Sequence, residues 1–204
     1  MRRKSYRPWL YMLLMLIICL APFVAANYFY RHHNQIHFAR HYHGQLYRNM
    51  PQLSSAQLID SSGVGFTLKH MRGQWLLMYV SPGCCTTQLC RHNIYNLRAM
   101  RGILVKDEKR FHAYVLMPAS CRLQPLPSMI TKDDSVTPWF ATSLLRHQFQ
   151  QAIDAKSSGH LDWSKEHLFF IDPHSYVVMH FLGTQPPTGW LQDFKLLLKV
   201  AQHA

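Results

Sequence analysis

The stretch RGQWLLMYVSPGCCTTQLCRHNIYNLRAMRGILV, residues 72–105, decides how this chain is read. Its first part, Trp75 to Val80, is an unbroken apolar run, which predicts a strand covered on both faces rather than an alternating, half-exposed one. Pro82-Gly83 ends that strand. Beyond it, Leu89, Ile94, Leu97, Met100 and Ile103-Leu104 mark one apolar side, with Arg91, Arg98 and Arg101 between them, so the segment predicts an amphipathic helix. Three cysteines, Cys84, Cys85 and Cys90, fall where the strand turns into the helix. A thiol at a helix N-terminus meets the helix's partial positive charge, which favours the thiolate.

Upstream, residues 57–73 read as a short strand, a Ser-Ser-Gly turn, a second strand around Phe66 to Lys69 and a turn at Arg72-Gly73. Downstream, KDEKR is a solvated turn and FHAYVLM (111–117) is a strand. The long segment 118–163 carries four early prolines. Within it, TPWFATSLLRHQFQQAIDA predicts a helix, with Thr137 as N-cap and Pro138 at the first helical position. HLFFID (167–172) and YVVMHF (176–181) predict a hairpin, and WLQDFKLLLKVAQHA a closing amphipathic helix. A β-α-β unit followed by a hairpin and a last helix is the thioredoxin arrangement. The expected fold is therefore α/β and thioredoxin-like: a central mixed sheet with flanking helices and an N-terminal β-hairpin extension, preceded by one transmembrane helix.

That helix is expected at residues 8–30, PWLYMLLMLIICLAPFVAANYFY, which contain no charged side chain. About 20 apolar residues span a bilayer, and aromatic rings at both ends suit its interfaces. Arg2, Arg3, Lys4 and Arg7 precede it and predict an inner-membrane, single-pass protein with residues 1–7 cytoplasmic and the main domain periplasmic. A cleaved signal peptide ending near Val24-Ala25-Ala26 is the competing reading. The apolar run is long for one, and the retained anchor is preferred. Residues 31–50 are read as a juxtamembrane stalk with five histidines in RHHNQIHFARHYHG, and 51–204 as the periplasmic domain. If helical, His33, His37 and His41 share a face, as a polar stalk or a weak metal collector.

The chain has 204 residues, 48% of them hydrophobic, and a formal charge of +12, enough for one packed domain plus an appendage. Outside the first seven residues the excess falls to +8, and no helix-turn-helix, zinc-finger or RNA-binding motif accompanies it, so no nucleic-acid partner is expected. Outside the cytoplasm disulfides persist. Cys84, Cys85, Cys90 and Cys121 allow three pairings, of which the vicinal Cys84–Cys85 bridge is the least favourable. Cys121 is read as a packed or lone thiol.

HYHGQL (41–46), RGQWLLMYVSPGCC (72–85), LCRHNIYNLRAMRGILVKDEKR (89–110) and HLFFIDP (167–173) with the closing helix together resemble one family. It comprises membrane-anchored thioredoxin-like proteins linked to bacterial cytochrome c oxidase assembly, relatives of the Sco-type copper chaperones. The resemblance implies a copper ion held by two cysteines and a histidine, or reduction of the oxidase's copper-site cysteines. It also implies an oxidase subunit or another assembly factor as partner, beside the inner membrane. In this sequence Cys85 and Cys90 are the redox or metal pair, with Cys84 the alternative catalytic cysteine. The family's C-x-x-x-C is here C-C-x4-C. Ser164 occupies the place expected for the copper histidine, leaving His167 as the candidate ligand, His160 as its alternative and His92 behind both. Residues five apart on a helix diverge by roughly 140°, so Cys85 and Cys90 meet only if Cys85 precedes the helix.

Three further readings compete. Ser81-Pro82-Gly83-Cys84 with Thr86-Thr87 is similar to the bacterioferritin-comigratory type of peroxiredoxin, although Leu77 stands where its pocket proline belongs. If the protein is an enzyme, thiol–disulfide oxidoreductase is the class, yet DWSKEH before Leu168 lacks the proline that usually faces such thiols. The third is a non-catalytic docking factor with a structural disulfide.

Overall fold

The computed structural model describes residues 8–32, 42–53, 57–103, 111–131, 135–157 and 160–201. Residues 1–7, His33, His37 and His41 of the histidine run, and the KDEKR turn lie outside them. The chain divides into two units, one ending at His41 and one beginning at Tyr42.

In the first unit, α1 (Pro8–His32) is a 25-residue helix with Pro22 inside it. Its large apolar side chains from Tyr11 to Val24 are exposed. Among the described residues no helix is long and apolar enough to cross a membrane, so the anchor at 8–30 returns below as a proposal.

The second unit holds β1 (Gln45–Leu46), β2 (Gln57–Ile59), β3 (Gly65–Thr67), β4 (Trp75–Val80), α2 (Gln88–Ile103), β5 (Phe111–Pro118), α3 (Ser128–Thr131), β6 (Val136–Ala141), α4 (Ser143–Asp154), β7 (His167–Ile171), β8 (Val177–Leu182) and α5 (Pro187–Ala201). The strands form one mixed sheet in the order β1-β8-β7-β4-β5-β6-β2-β3. β4 runs parallel to β5 and antiparallel to β7, so it is paired on both sides along its length. Its continuous apolar run follows from that position: Leu77 and Tyr79 pack on one face, Leu76, Met78 and Val80 on the other. α2 and α5 cover the first face through Ile94, Leu97, Trp190 and Phe194. α4 covers the second through Phe149 and Ile153. Each such side chain contributes about 1.5–3 kcal/mol on burial.

Residues 136–155 differ from the sequence expectation. Val136–Ala141 is a strand, parallel to β5 from Ala113↔Val136 to Pro118↔Ala141, and the helix begins only at Ser143. Its N-cap is Thr142, whose hydroxyl accepts the Leu145 N–H at 3.3 Å. Burial of Val136, Trp139, Phe140 and Ala141 outweighed the helix-start pattern of Thr137-Pro138. Pro138 is tolerated because β2 touches the outer side of β6 at one register only, Ile59↔Phe140. The strand expected at Phe66–Lys69 is likewise shorter: β3 ends at Thr67 and a 3-10 turn, Leu68–Met71, follows.

Tyr42 to Met50, expected in the stalk, are part of the compact unit. β1 pairs with β8 (Gln45↔His180, Leu46↔Met179), and the buried Asp193 of α5 accepts the backbone N–H groups of His43 (2.6 Å) and Gly44 (2.9 Å).

Candidate functional site

The cysteine turn leaves β4 at Ser81, whose N–H donates to Leu116 O at 2.9 Å, and enters α2 at Gln88. Cys85 lies in the turn, three residues ahead of the helix, with φ +58. Left-handed backbone costs an L-residue roughly 1–2 kcal/mol; here it reverses the chain so that Cys85 and Cys90 come together. Their Cα atoms are 5.2 Å apart and the two form a disulfide. Both are buried in the α2-side core. Thr87 caps the helix: its hydroxyl accepts the Cys90 N–H at 3.0 Å.

Cys84 forms a second disulfide, with Cys121, at a Cα separation of 5.1 Å. This corrects the reading of Cys121 as a packed or lone thiol. Cys121 sits in the 3-10 turn that follows β5, and β5 is the parallel neighbour of β4. The turns leaving these two strands therefore emerge side by side, and a residue in each can bridge. Cys84 is partly exposed, whereas Cys121 is fully buried. Cys19, the remaining cysteine, is a free thiol on α1.

A buried polar network stands behind the Cys85–Cys90 pair, and sequence reasoning missed it. The Glu166 carboxylate accepts from the Tyr79 hydroxyl, the Thr87 hydroxyl (3.0 Å) and the Asn93 amide (3.3 Å). Asn93 also donates to Gly183 O at 2.9 Å. Burial, and then the bond to Glu166, push the Tyr79 hydroxyl well above its ordinary range, so it stays protonated and donates. Thr87 links this network to the cysteines, because one hydroxyl both caps Cys90 and donates to Glu166. The available signal was alternation: with Leu168 and Phe170 facing α2, so must the residue two before Leu168, which is Glu166.

The histidines lie elsewhere. His167 pairs with Val80 and Leu182 and shares the face of Phe169. Its ring packs among Trp163, Phe169 and His180, on the α4 side, away from the disulfide. His160 is almost fully exposed and pairs with Asp154 at 3.4 Å. His92 is exposed on α2, and Ser164 donates its hydroxyl to Asp162 at 2.6 Å. The structure thus brings Cys85 and Cys90 together and places no candidate histidine beside them. Among the described residues no group of three or more His, Cys, Asp or Glu is disposed to hold a metal ion. Arg146 of α4, half-buried, donates from its guanidinium to Pro82 O in the turn at 3.3 Å.

A mixed sheet with a disulfide in the turn between a central strand and its following helix defines a thioredoxin-like domain. The family model described as transmembrane-like, thioredoxin-like, C-terminal domain matches residues 75–201, well over half of the chain, and the protein belongs to that family. No curated protein matches it in sequence. Among solved structures, a putative electron transfer protein from Aquifex aeolicus VF5 is similar over 76% of this chain and 98% of its own, with TM-score 0.56 and 16% identity. Arabidopsis thaliana ScoI with copper bound is similar over 72% of this chain and 96% of its own, with TM-score 0.54 and 11% identity. The thioredoxin domain of a thiol–disulfide oxidoreductase from Bacteroides vulgatus covers 72% and 96%, with TM-score 0.52 and 14% identity. At such identities the likeness is one of fold.

Proposed function

We propose that this protein is a membrane-anchored periplasmic thiol–disulfide factor of the Sco type, which uses Cys85 and Cys90 to reduce the copper-site cysteines of an oxidase subunit. The observation that carries the reading is the Cys85–Cys90 bridge itself, set at the strand-to-helix turn with Thr87 capping Cys90. The helix N-terminus favours a thiolate there. In the reduced protein a thiolate of the pair attacks a partner disulfide, forming a mixed disulfide and releasing one partner thiolate. The second cysteine of the pair then displaces the other partner sulfur, leaving Cys85–Cys90 oxidised and the partner a dithiol. Cys85 lies in the turn between the exposed Gly83 and Thr86, with Cys84 beside it, and Cys90 in the first turn of α2; both are buried, so the turn must open for a partner to reach either sulfur.

The anchor belongs to the same reading. Residues 8–30 carry no charge and α1 exposes apolar side chains along Tyr11–Val24, which suits lipid better than water. Copper(I) as cargo would meet two soft sulfurs once the pair is reduced, but none of the candidate histidines lies beside them. Thiol chemistry therefore stands ahead of copper handling.

Burial of Cys85, Cys90 and Cys121 supports a second reading, a docking factor held by two structural disulfides. The equilibrium reduction potential separates the two. An exchangeable Cys85–Cys90 pair titrates above about −300 mV and a structural one below it. The titration is followed by mass spectrometry of alkylated protein, with Cys84–Cys121 as internal reference. A potential below that limit, together with oxidase assembly supported by a Cys85→Ser, Cys90→Ser variant, would replace the first reading with the second.

A further inference from the structure

Cys85–Cys90 cannot meet a partner while the cysteine turn keeps this form: Cys85 is 2% exposed and Cys90 is fully buried. Of the bonded cysteines only Cys84 reaches the surface in part, and its own partner, Cys121, is fully buried. We propose that Cys84–Cys121 is a second exchange-active disulfide and that Cys84 is the sulfur an incoming dithiol reductant attacks first. On the reading of Cys85–Cys90 as the working pair, opening this bridge releases the turn, so that Cys85–Cys90 is reduced second.

The approach to Cys84 is open. Gly83 before it is exposed, and a side chain added at Gly83 would meet nothing within 4 Å. In the neighbouring turn, Ser120, Arg122 and Leu123 around Cys121 are exposed as well. Both turns that the bridge joins are therefore accessible to a partner, although the second sulfur is not.

The same bridge holds the turn shut. β4 ends at Ser81, whose N–H donates to Leu116 O at 2.9 Å. Beyond it the polar contacts are long: Arg146 to Pro82 O at 3.3 Å, and Gly83 N–H to Ser81 Oγ at 3.4 Å. Cys84–Cys121 is the covalent tie that fixes the turn to the end of β5, one residue away from Cys85. Cys85 itself sits at φ +58, a left-handed backbone that an L-residue keeps only where its surroundings impose it. With Cys84 released, Cys85 can leave that conformation and bring its sulfur to the surface.

In the first step one thiolate of the reductant attacks Cys84 Sγ. The Cys84–Cys121 bond breaks, a mixed disulfide forms at Cys84, and the Cys121 sulfur leaves and takes a proton. The reductant's second thiolate then attacks its own sulfur in the mixed disulfide, expels Cys84 as a thiolate and closes the reductant's disulfide. The same sequence on the uncovered Cys85–Cys90 follows. A fully oxidised chain thus consumes two dithiols, one for each bridge, and the reaction that feeds it is the oxidation of a dithiol to a disulfide.

The test is a time course of reduction of the full-length chain in detergent micelles, in a Cys19→Ser background, with dithiothreitol as the dithiol. Samples are quenched in acid, alkylated and mapped by mass spectrometry. The expected order is Cys84–Cys121 first, with Cys85–Cys90 opening after a lag. With reduced glutathione as the probe, the trapped mixed disulfide should lie on Cys84 rather than on Cys121. Cys84→Ser with Cys121→Ser should abolish the lag and open Cys85–Cys90 roughly tenfold faster or more, as expected when one tether of a local opening is removed. Unchanged hydrogen-exchange protection of the Leu77 and Tyr79 amides in that variant assigns the faster rate to the turn and not to unfolding. Opening of Cys85–Cys90 before or together with Cys84–Cys121, or an unchanged rate in the folded double variant, overturns the inference. The order in the parent chain decides the matter even if the double variant fails to fold. That order is a rate, whereas the potential of Cys85–Cys90 is an equilibrium quantity, so either can fail while the other holds.

Discussion

Glu166 and His167 are adjacent in sequence and act on opposite faces of the sheet. Glu166 reaches the α2 side, where it holds Tyr79, Thr87 and Asn93; His167 lies among Trp163, Phe169 and His180 on the α4 side. The expected outcome of Glu166→Ala is a loss of roughly 1–3 kcal/mol, because it strands the buried Tyr79 hydroxyl, while Asn93 keeps its bond to Gly183 O. Glu166→Gln should cost less, since it keeps an acceptor for Tyr79. The glutamate variants should also change the rate at which dithiothreitol opens Cys85–Cys90, and His167→Gln should not. Urea unfolding and alkylation-quenched reduction measure the two effects. Equal reduction rates in all variants would mean that the network does not reach the cysteines.

This opposition explains how much of the molecule the sequence disclosed. The strand–turn–helix block at 75–103, the hairpin and the closing helix were legible because each has a strong period and a marked end. β6 was not, since Thr137-Pro138 carries a good helix start and only long-range pairing with β5 overrides it. Cys85 and Cys90 stood out as residue types. Their surroundings depend on which face each strand residue takes, and a one-residue difference in parity replaced His167 by Glu166 beside them. The Cys84–Cys121 bridge was hidden for a related reason. It joins turns 37 residues apart in sequence that only the β4–β5 pairing makes neighbours.

The two disulfides should differ in what their removal costs. Closing a loop restricts the unfolded chain, and the restriction grows with loop length. For sequence separations of 37 and 5 this gives about 4 and about 2 kcal/mol respectively. Cys121→Ser paired with Cys84→Ser should therefore lower the urea midpoint more than Cys85→Ser paired with Cys90→Ser. A reversed order would show that native packing around Cys85 and Cys90, rather than loop closure, dominates.

Thr87 has two roles, and they can be separated. Thr87→Ser keeps the hydroxyl, and so both the cap on Cys90 N and the bond to Glu166. Thr87→Ala removes both and should cost about 1–2 kcal/mol. Thr87→Asn keeps a good cap while changing the contact to Glu166. If Asn restores stability and leaves the reduction rate of Cys85–Cys90 altered, the cap is structural and the Glu166 link sets reactivity. Full rescue of both by Asn would assign the whole effect to the cap.

The attachment of residues 42–50 to the domain rests on Asp193 more than on the two-residue strand β1. The Asp193 carboxylate is buried and takes two backbone N–H groups, His43 and Gly44, while the His43 ring it also touches is about half exposed. Removing the acceptor leaves two backbone donors without their partner, a loss of roughly 1–3 kcal/mol for each that stays buried. Removing the His43 ring breaks only one half-exposed side-chain contact to Asp193, worth at most about 1 kcal/mol. Asp193→Ala should therefore speed hydrogen exchange of the Tyr47 amide, which donates to Val178 O. The amides of Leu77 and Tyr79 in the central strand should keep their protection. His43→Ala should barely change either. Gly44→Ala should behave like Asp193→Ala for a different reason, since a Cβ there would lie 2.6 Å from the Phe181 ring. If His43→Ala releases Tyr47 as fully as Asp193→Ala does, the side-chain pair and not the backbone capture fastens this segment.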